Sequence, residues 1–165
     1  MGGLLVAAGL AVPAAAQDTT RNASFVSAGG EEIGSATLTG TPNGVLIELD
    51  LMNLPPESWH GFHIHETGEC NAEDGFQSAG GHFAPTGSEH GLKVEGGPHV
   101  GDMANQYVSA DGMLKAEVHN PRATLGDGGE ADLSGRALML HGGADDYESQ
   151  PSGDAGDRIA CAVIE

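Results

Sequence analysis

The sequence predicts an all-β fold, an antiparallel sandwich or barrel of about eight strands with two long functional loops. Three observations point there. Apolar and polar residues alternate in short runs, no window longer than a turn or two shows apolar residues at helical spacing, and 27 glycines with 8 prolines interrupt almost every stretch.

Strands are expected first over residues 23–27 and 36–39. The clearest comes next. Val45, Ile47, Leu49 and Leu51 alternate with Leu46, Glu48 and Asp50 after the turn Thr41-Pro42-Asn43-Gly44, which is period two with one face buried. Further strands are expected over 60–65, 107–110, 113–119, 137–141 and 159–164. The gaps at 66–105 and 142–158 are too long for ordinary hairpins, and long loops on a small β-scaffold are usually functional.

At 165 residues the chain fits one domain, and no repeat or linker divides it. A formal net charge of -18 with only 6 Lys and Arg argues against a nucleic-acid partner and an anionic membrane surface; keeping the protein soluble accounts for it. Residues 1–16 read as a secretory signal peptide. They are uncharged, with an apolar run from Leu4 to Val12 too short to span a bilayer and a small-residue cleavage pattern at Ala14-Ala15-Ala16. The expected Lys or Arg after Met1 is missing, which leaves the true start of that segment open. The mature domain is then 17–165, periplasmic or secreted. In such an oxidising compartment Cys70 and Cys161 are most simply one disulfide; free thiols or thiolate ligands are the competing reading.

Histidines carry the chemistry. On a strand, His63 and His65 leave the same face while Phe62 and Ile64 enter the core, so two imidazoles can meet one metal. His82, His90, His99 and Asp102 fall close together in a glycine-rich loop with little core of its own, and a tetrahedral ion such as zinc would supply its order. His141 ends another strand and can join His63 and His65. A set of neutral imidazoles suits copper.

The segment His60-Gly61-Phe62-His63-Ile64-His65-Glu66 resembles the signature of the copper-zinc superoxide dismutases, in particular the exported bacterial type. Gly80-Gly81-His82-Phe83-Ala84-Pro85, His99-Val100-Gly101-Asp102 and the stretch from Gly153 to Cys161 resemble three further family segments in the same order. That resemblance implies a Greek-key sandwich, one copper and one zinc per subunit, and dismutation of superoxide to oxygen and hydrogen peroxide. It implies copper on His63, His65, His82 and His141, and zinc on His82, His90, His99 and Asp102, with His82 bridging. It further implies that Asp145 hydrogen-bonds His63 and His90, that Arg158 docks the anion at the copper mouth, and that His82 supplies a proton. His60 and His119 have no ligand role in this scheme.

One departure stands out. The second loop, 142–157, contains no Lys or Arg and five acidic residues, and Pro151 stands where some relatives carry a lysine, so anion steering falls to Lys93 in the first loop or is weak. The alternative from another class is a non-catalytic periplasmic copper- or zinc-binding module, which would need neither Arg158 nor a complete copper set. A zinc hydrolase fits poorly because four protein ligands leave no open zinc position. Monomer and homodimer are both compatible with the sequence.

Overall fold

A computed structural model describes residues 19–165; the expected signal peptide at 1–16 lies outside the described residues. Nine strands are present among the described residues: β1 (Thr20–Ser27), β2 (Glu32–Thr41), β3 (Gly44–Leu51), β4 (Ser58–His60), β5 (Phe62–His65), β6 (Gln106–Val108), β7 (Leu114–Asn120), β8 (Ala137–His141) and β9 (Arg158–Val163). Among the described residues helix is limited to two single turns of 3-10 type in the first long loop.

Seven strands form one curled antiparallel sheet in the order β5-β8-β9-β1-β2-β3-β7, and β4 pairs with β6 in a second, smaller sheet. The small sheet joins the two edges of the large one. β4 runs into β5 through Gly61 alone, and β6 reaches β7 through a short turn at 109–113. The expected strand over 60–65 is therefore two strands in two sheets. Gly61 permits the break: a Cβ there would stand 2.9 Å from Ala155 Cβ and 3.1 Å from His63 Cε1.

Alternation builds the core as the sequence suggests. Val45, Ile47, Leu49 and Leu51 are buried on β3 while Glu48 and Asp50 are exposed, and Phe25, Leu38, Phe62, Ile64, Leu138 and Leu140 join the same cluster. Each large apolar side chain buried this way stabilises the fold by about 1.5–3 kcal/mol. β1 and β2 run longer than their apolar pattern indicates because ladder hydrogen bonds continue through polar residues such as Thr20, Arg21 and Asn22.

β5 lies at an edge, and the long loop 66–105 covers that edge. Ile64 N–H donates to the Gly101 carbonyl at 2.9 Å, Phe83 N–H donates to the Ile64 carbonyl at 2.8 Å, and Glu66 N–H donates to the Gly81 carbonyl at 3.0 Å. Those bonds set His82 beside His65 and Asp102 beside His63. An edge strand's free backbone groups thus become the attachment line for the loop.

Cys70 and Cys161 form a disulfide across 91 residues of sequence, with Cα atoms 5.6 Å apart. It ties the start of the loop to β9 beside a second apolar cluster of Phe76, Ala79, Ala137 and Met139. Replacing both cysteines by serine is expected to lower the stability of the metal-free protein by about 4 to 5 kcal/mol, the chain-entropy value for a loop of this length. Urea unfolding measures this; an unchanged midpoint would contradict it.

Candidate metal centre

Three structural elements bring seven side chains together. β5 contributes His63 and His65, which leave one face of the strand while Phe62 and Ile64 leave the other. β8 ends in His141, whose neighbour across the ladder is Arg158, the first residue of β9. The loop at 66–105 contributes His82, His90, His99 and Asp102. His63, His65, His82 and His141 each offer a ligand atom within 4.8 Å of the others, and so do His82, His90, His99 and Asp102. Either group could hold a metal ion, and His82 belongs to both.

The first group has its tautomers fixed from outside. His65 Nδ1 donates to the Gly80 carbonyl at 3.0 Å, His141 Nδ1 donates to the Gly156 carbonyl at 3.2 Å, and His63 Nε2 donates to Asp145 Oδ2 at 2.8 Å. A neutral imidazole that donates from one nitrogen presents a lone pair at the other. Those other atoms, His63 Nδ1, His65 Nε2 and His141 Nε2, are buried and without a hydrogen-bond partner, as is His82 Nε2. Four unpartnered buried nitrogens in one place fit a cation with nitrogen ligands, and the set suits copper.

Burial favours the neutral form of His65, His82 and His141. It pulls the pKa of His65 down to about 2, with His82 and Arg158 adding to the effect, and that of His141 down to about 3, with His63 adding. Burial also lowers His82 to about 4, opposed by its hydrogen bond to Asp102.

The second group converges on one oxygen. His82 Nδ1, His90 Nδ1 and His99 Nδ1 stand 3.0, 3.1 and 3.2 Å from Asp102 Oδ1, while Asp102 Oδ2 accepts from the backbone N–H groups of Gly91 at 2.9 Å and His99 at 3.0 Å. Burial pushes the Asp102 carboxyl up, yet hydrogen bonds from His82, His99 and the Gly91 N–H hold it well below the usual carboxylate range. Three imidazoles and one carboxylate are a tetrahedral set of the kind zinc takes.

Asp145 joins the two groups from behind. Its Oδ2 takes the His63 bond and its Oδ1 lies 3.1 Å from His90 Nε2, so one carboxylate orients an imidazole in each group. Burial raises its pKa and the His63 bond with the Tyr147 N–H more than reverses that. Gly153 makes the approach possible: its φ is +70°, and a Cβ there would overlap Asp145 Oδ1 and stand 2.7 Å from His90 Nε2.

The chain matches the family model for copper/zinc superoxide dismutase over residues 32–164. It belongs to the copper/zinc superoxide dismutase family. A superoxide dismutase (Cu-Zn) of Aquifex aeolicus is 47% identical over 153 residues, covering 91% of this chain and 90% of that one. One of Caulobacter vibrioides is 40% identical over 141 residues, 82% of this chain and 80% of its own. Among solved structures, the Cu/Zn superoxide dismutase of Brucella abortus superimposes with a TM-score of 0.75 at 31% identity, covering 89% of this chain and all of that one. A SOD-like protein of Bacillus subtilis gives a TM-score of 0.83 at 34% identity, covering 87% and 97%.

Within this dismutase-family chain Arg158 faces the first group across a cleft of about 170 Å³ that His65, His82, His141, Pro151 and Ser152 also line. Its Nη1 donates to the Phe76 carbonyl at 2.5 Å and its Nη2 to the Gly80 carbonyl at 2.7 Å, so the guanidinium is held by the loop and not free. Lys93 does not line this cleft. Its Nζ donates to the Asp146 carbonyl at 3.0 Å and stands 5.5 Å from the Tyr147 ring centre, so it clamps the second loop to the first.

His60, which the sequence reading leaves as a structural histidine, is fully buried and its Nδ1 donates to the His141 carbonyl at 2.7 Å, which makes it a support for that ligand's main chain. Two further supports escaped sequence reasoning. Asn105 exchanges two 2.8 Å bonds with the backbone of Asp145, and the Gln150 side chain bonds both the N–H and the carbonyl of His90. His119 is exposed and reaches only the Asn43 carbonyl, in keeping with its expected lack of a ligand role.

Two outcomes are expected. The folded pKa values of His65, His82 and His141 lie below the ordinary 6.5, so at intermediate pH the unfolded chain binds protons the folded chain refuses. Stability of the metal-free protein from this source is full above pH 6.5 and falls as the pH drops, the His82 contribution levelling off at about 4 while those of His141 and His65 go on falling to about 3 and about 2. Urea midpoints across that range test the slope, and a flat profile contradicts it. Separately, Gly153→Ala is expected to displace Asp145 and weaken metal binding about tenfold or more. Titration of the metal-free protein with zinc in the presence of a chelator reads that change.

Proposed function

We propose that this chain converts two superoxide ions and two protons to oxygen and hydrogen peroxide, with copper on His63, His65, His82 and His141 and zinc on His82, His90, His99 and Asp102. The four unpartnered, lone-pair-bearing nitrogens carry the reading. Copper bound there would supply one-electron oxidation and reduction, with zinc supplying fixed charge and order.

The chain's own residues supply the remaining requirements. Arg158 is a fixed cation at the cleft, held by two backbone carbonyls, and a preorganised charge docks a small anion without first having to be ordered. His82 would hold a proton at Nε2, the nitrogen left free once Nδ1 is engaged on the Asp102 side. One of the two protons then comes from His82 and the other from water in the cleft. Asp145 and the carbonyls of Gly80 and Gly156 keep the imidazoles oriented throughout.

A complete set of copper nitrogens together with Arg158 favours catalysis over metal buffering. We also infer that residues 1–16 direct export and are removed, giving a periplasmic or secreted domain of 17–165. The disulfide supports that compartment, because such bonds persist where the surroundings are oxidising. Peptide sequencing of the exported protein would show its first residue.

Arg158→Ala, loaded with copper and zinc, is expected to dismutate superoxide at least about tenfold more slowly at low salt. Metal analysis of the same sample is expected to show unchanged content. Wild-type rates in that variant would remove Arg158 from the mechanism, and a wild-type protein inert toward superoxide would remove the function itself.

A further inference from the structure

The carboxylate of Asp102 is fixed by His99 and Gly91, but its main chain is fixed from another part of the fold. Arg122, just beyond the end of β7, donates from Nη2 to the Asp102 carbonyl at 3.0 Å. Its backbone N–H donates to Asn120 Oδ1 at 3.0 Å, and Asn120 Nδ2 donates to the Val100 carbonyl at 2.8 Å. Asn120 is 1% exposed and pairs with Val45 in the sheet, so this bracket grows from a rigid strand end. It grips the segment 100–102 at two carbonyls, while the strand-like bonds at Gly101 grip it from the β5 side.

We propose that Arg122 is a positioning residue for the zinc group. It anchors the main chain of Asp102, so that Oδ1 stays where His82, His90 and His99 converge. Asn120 sets the direction from which Arg122 approaches. This rests on the reading of Asp102 as a zinc ligand. His63, His65 and His141 draw their orientation from Asp145, Gly80 and Gly156, none of which Arg122 touches, and only the shared His82 is oriented on Asp102, so losing Arg122 weakens the zinc group more than the copper group.

The test uses the full chain, freed of metal, as wild type, Arg122→Ala, Arg122→Lys and Arg21→Ala. Arg21 is a half-buried arginine whose side chain bonds the Thr20 carbonyl far from the zinc group in sequence, and its loss controls for charge. Arg122→Ala is expected to raise the zinc dissociation constant about tenfold in chelator competition, the lower end for groups that orient metal ligands. The copper constant is expected to change less than the zinc constant, the melting temperature of the metal-free chain to stay as in wild type, and cobalt placed at the zinc group to show an altered visible spectrum. Arg122→Lys, which keeps a donor, is expected to recover part of the affinity, and Arg21→Ala all of it. An unchanged zinc constant in Arg122→Ala overturns the proposal, as does equal weakening of zinc and copper with a lower melting temperature, or a lysine variant as weak as alanine. A wild-type chain that takes up no zinc overturns the underlying reading of Asp102 instead.

Discussion

Burying an imidazole with its lone pair turned away from every donor is costly, and here four such lone pairs face one another. Much of the architecture serves to keep them there. Edge bonds along β5 hold His82 beside His65, the end of β8 fixes His141, and backbone carbonyls or Asp145 occupy the opposite nitrogens. Without a cation this arrangement works against folding. With one bound, metal binding free energy would become part of folding free energy.

That exchange explains why two glycine-rich loops with few apolar residues can be ordered at all. The first is tied by the disulfide, by Arg158 at Phe76 and Gly80, and by the bracket from Asn120 and Arg122. The second is tied to the first through Asp145, Gln150 and Lys93. Most of these ties are polar side chains bonding backbone carbonyls or N–H groups. Polar ties of this kind contribute about 1 kcal/mol each, so their value lies in placing atoms more than in total stability.

What could be read from the sequence follows from this division. Strand β3 was legible because burial on one face imposes period two, and His63 with His65 was legible for the same reason. The ligand groups were legible because His and Asp are rare at such density and matched a family pattern. The partners of His60, Asn105, Gln150 and Arg122 were not. Each bonds the main chain of a distant segment, such as His141, 81 residues beyond His60, and no periodicity or spacing encodes that. The sequence, with no Lys or Arg in the second loop, leaves steering either to Lys93 in the first loop or weak. The structure engages its ammonium with Asp146 and Tyr147, a contact visible only once the loops are packed together.

The remaining tension is electrostatic. A protein of net charge -18 acting on an anion needs attraction that overrides its own field near the cleft. At about 0.1 M ionic strength, charges more than roughly 10 Å apart are largely screened, so the distant acidic surface matters less than the groups lining the approach. There Arg158 is the charged residue, with Pro151 and Ser152 as neutral neighbours. The carbonyls of Phe76 and Gly80 hold that guanidinium in place at the cleft. In the mechanism proposed, capture of the anion would then rest on a fixed charge at short range more than on long-range guidance.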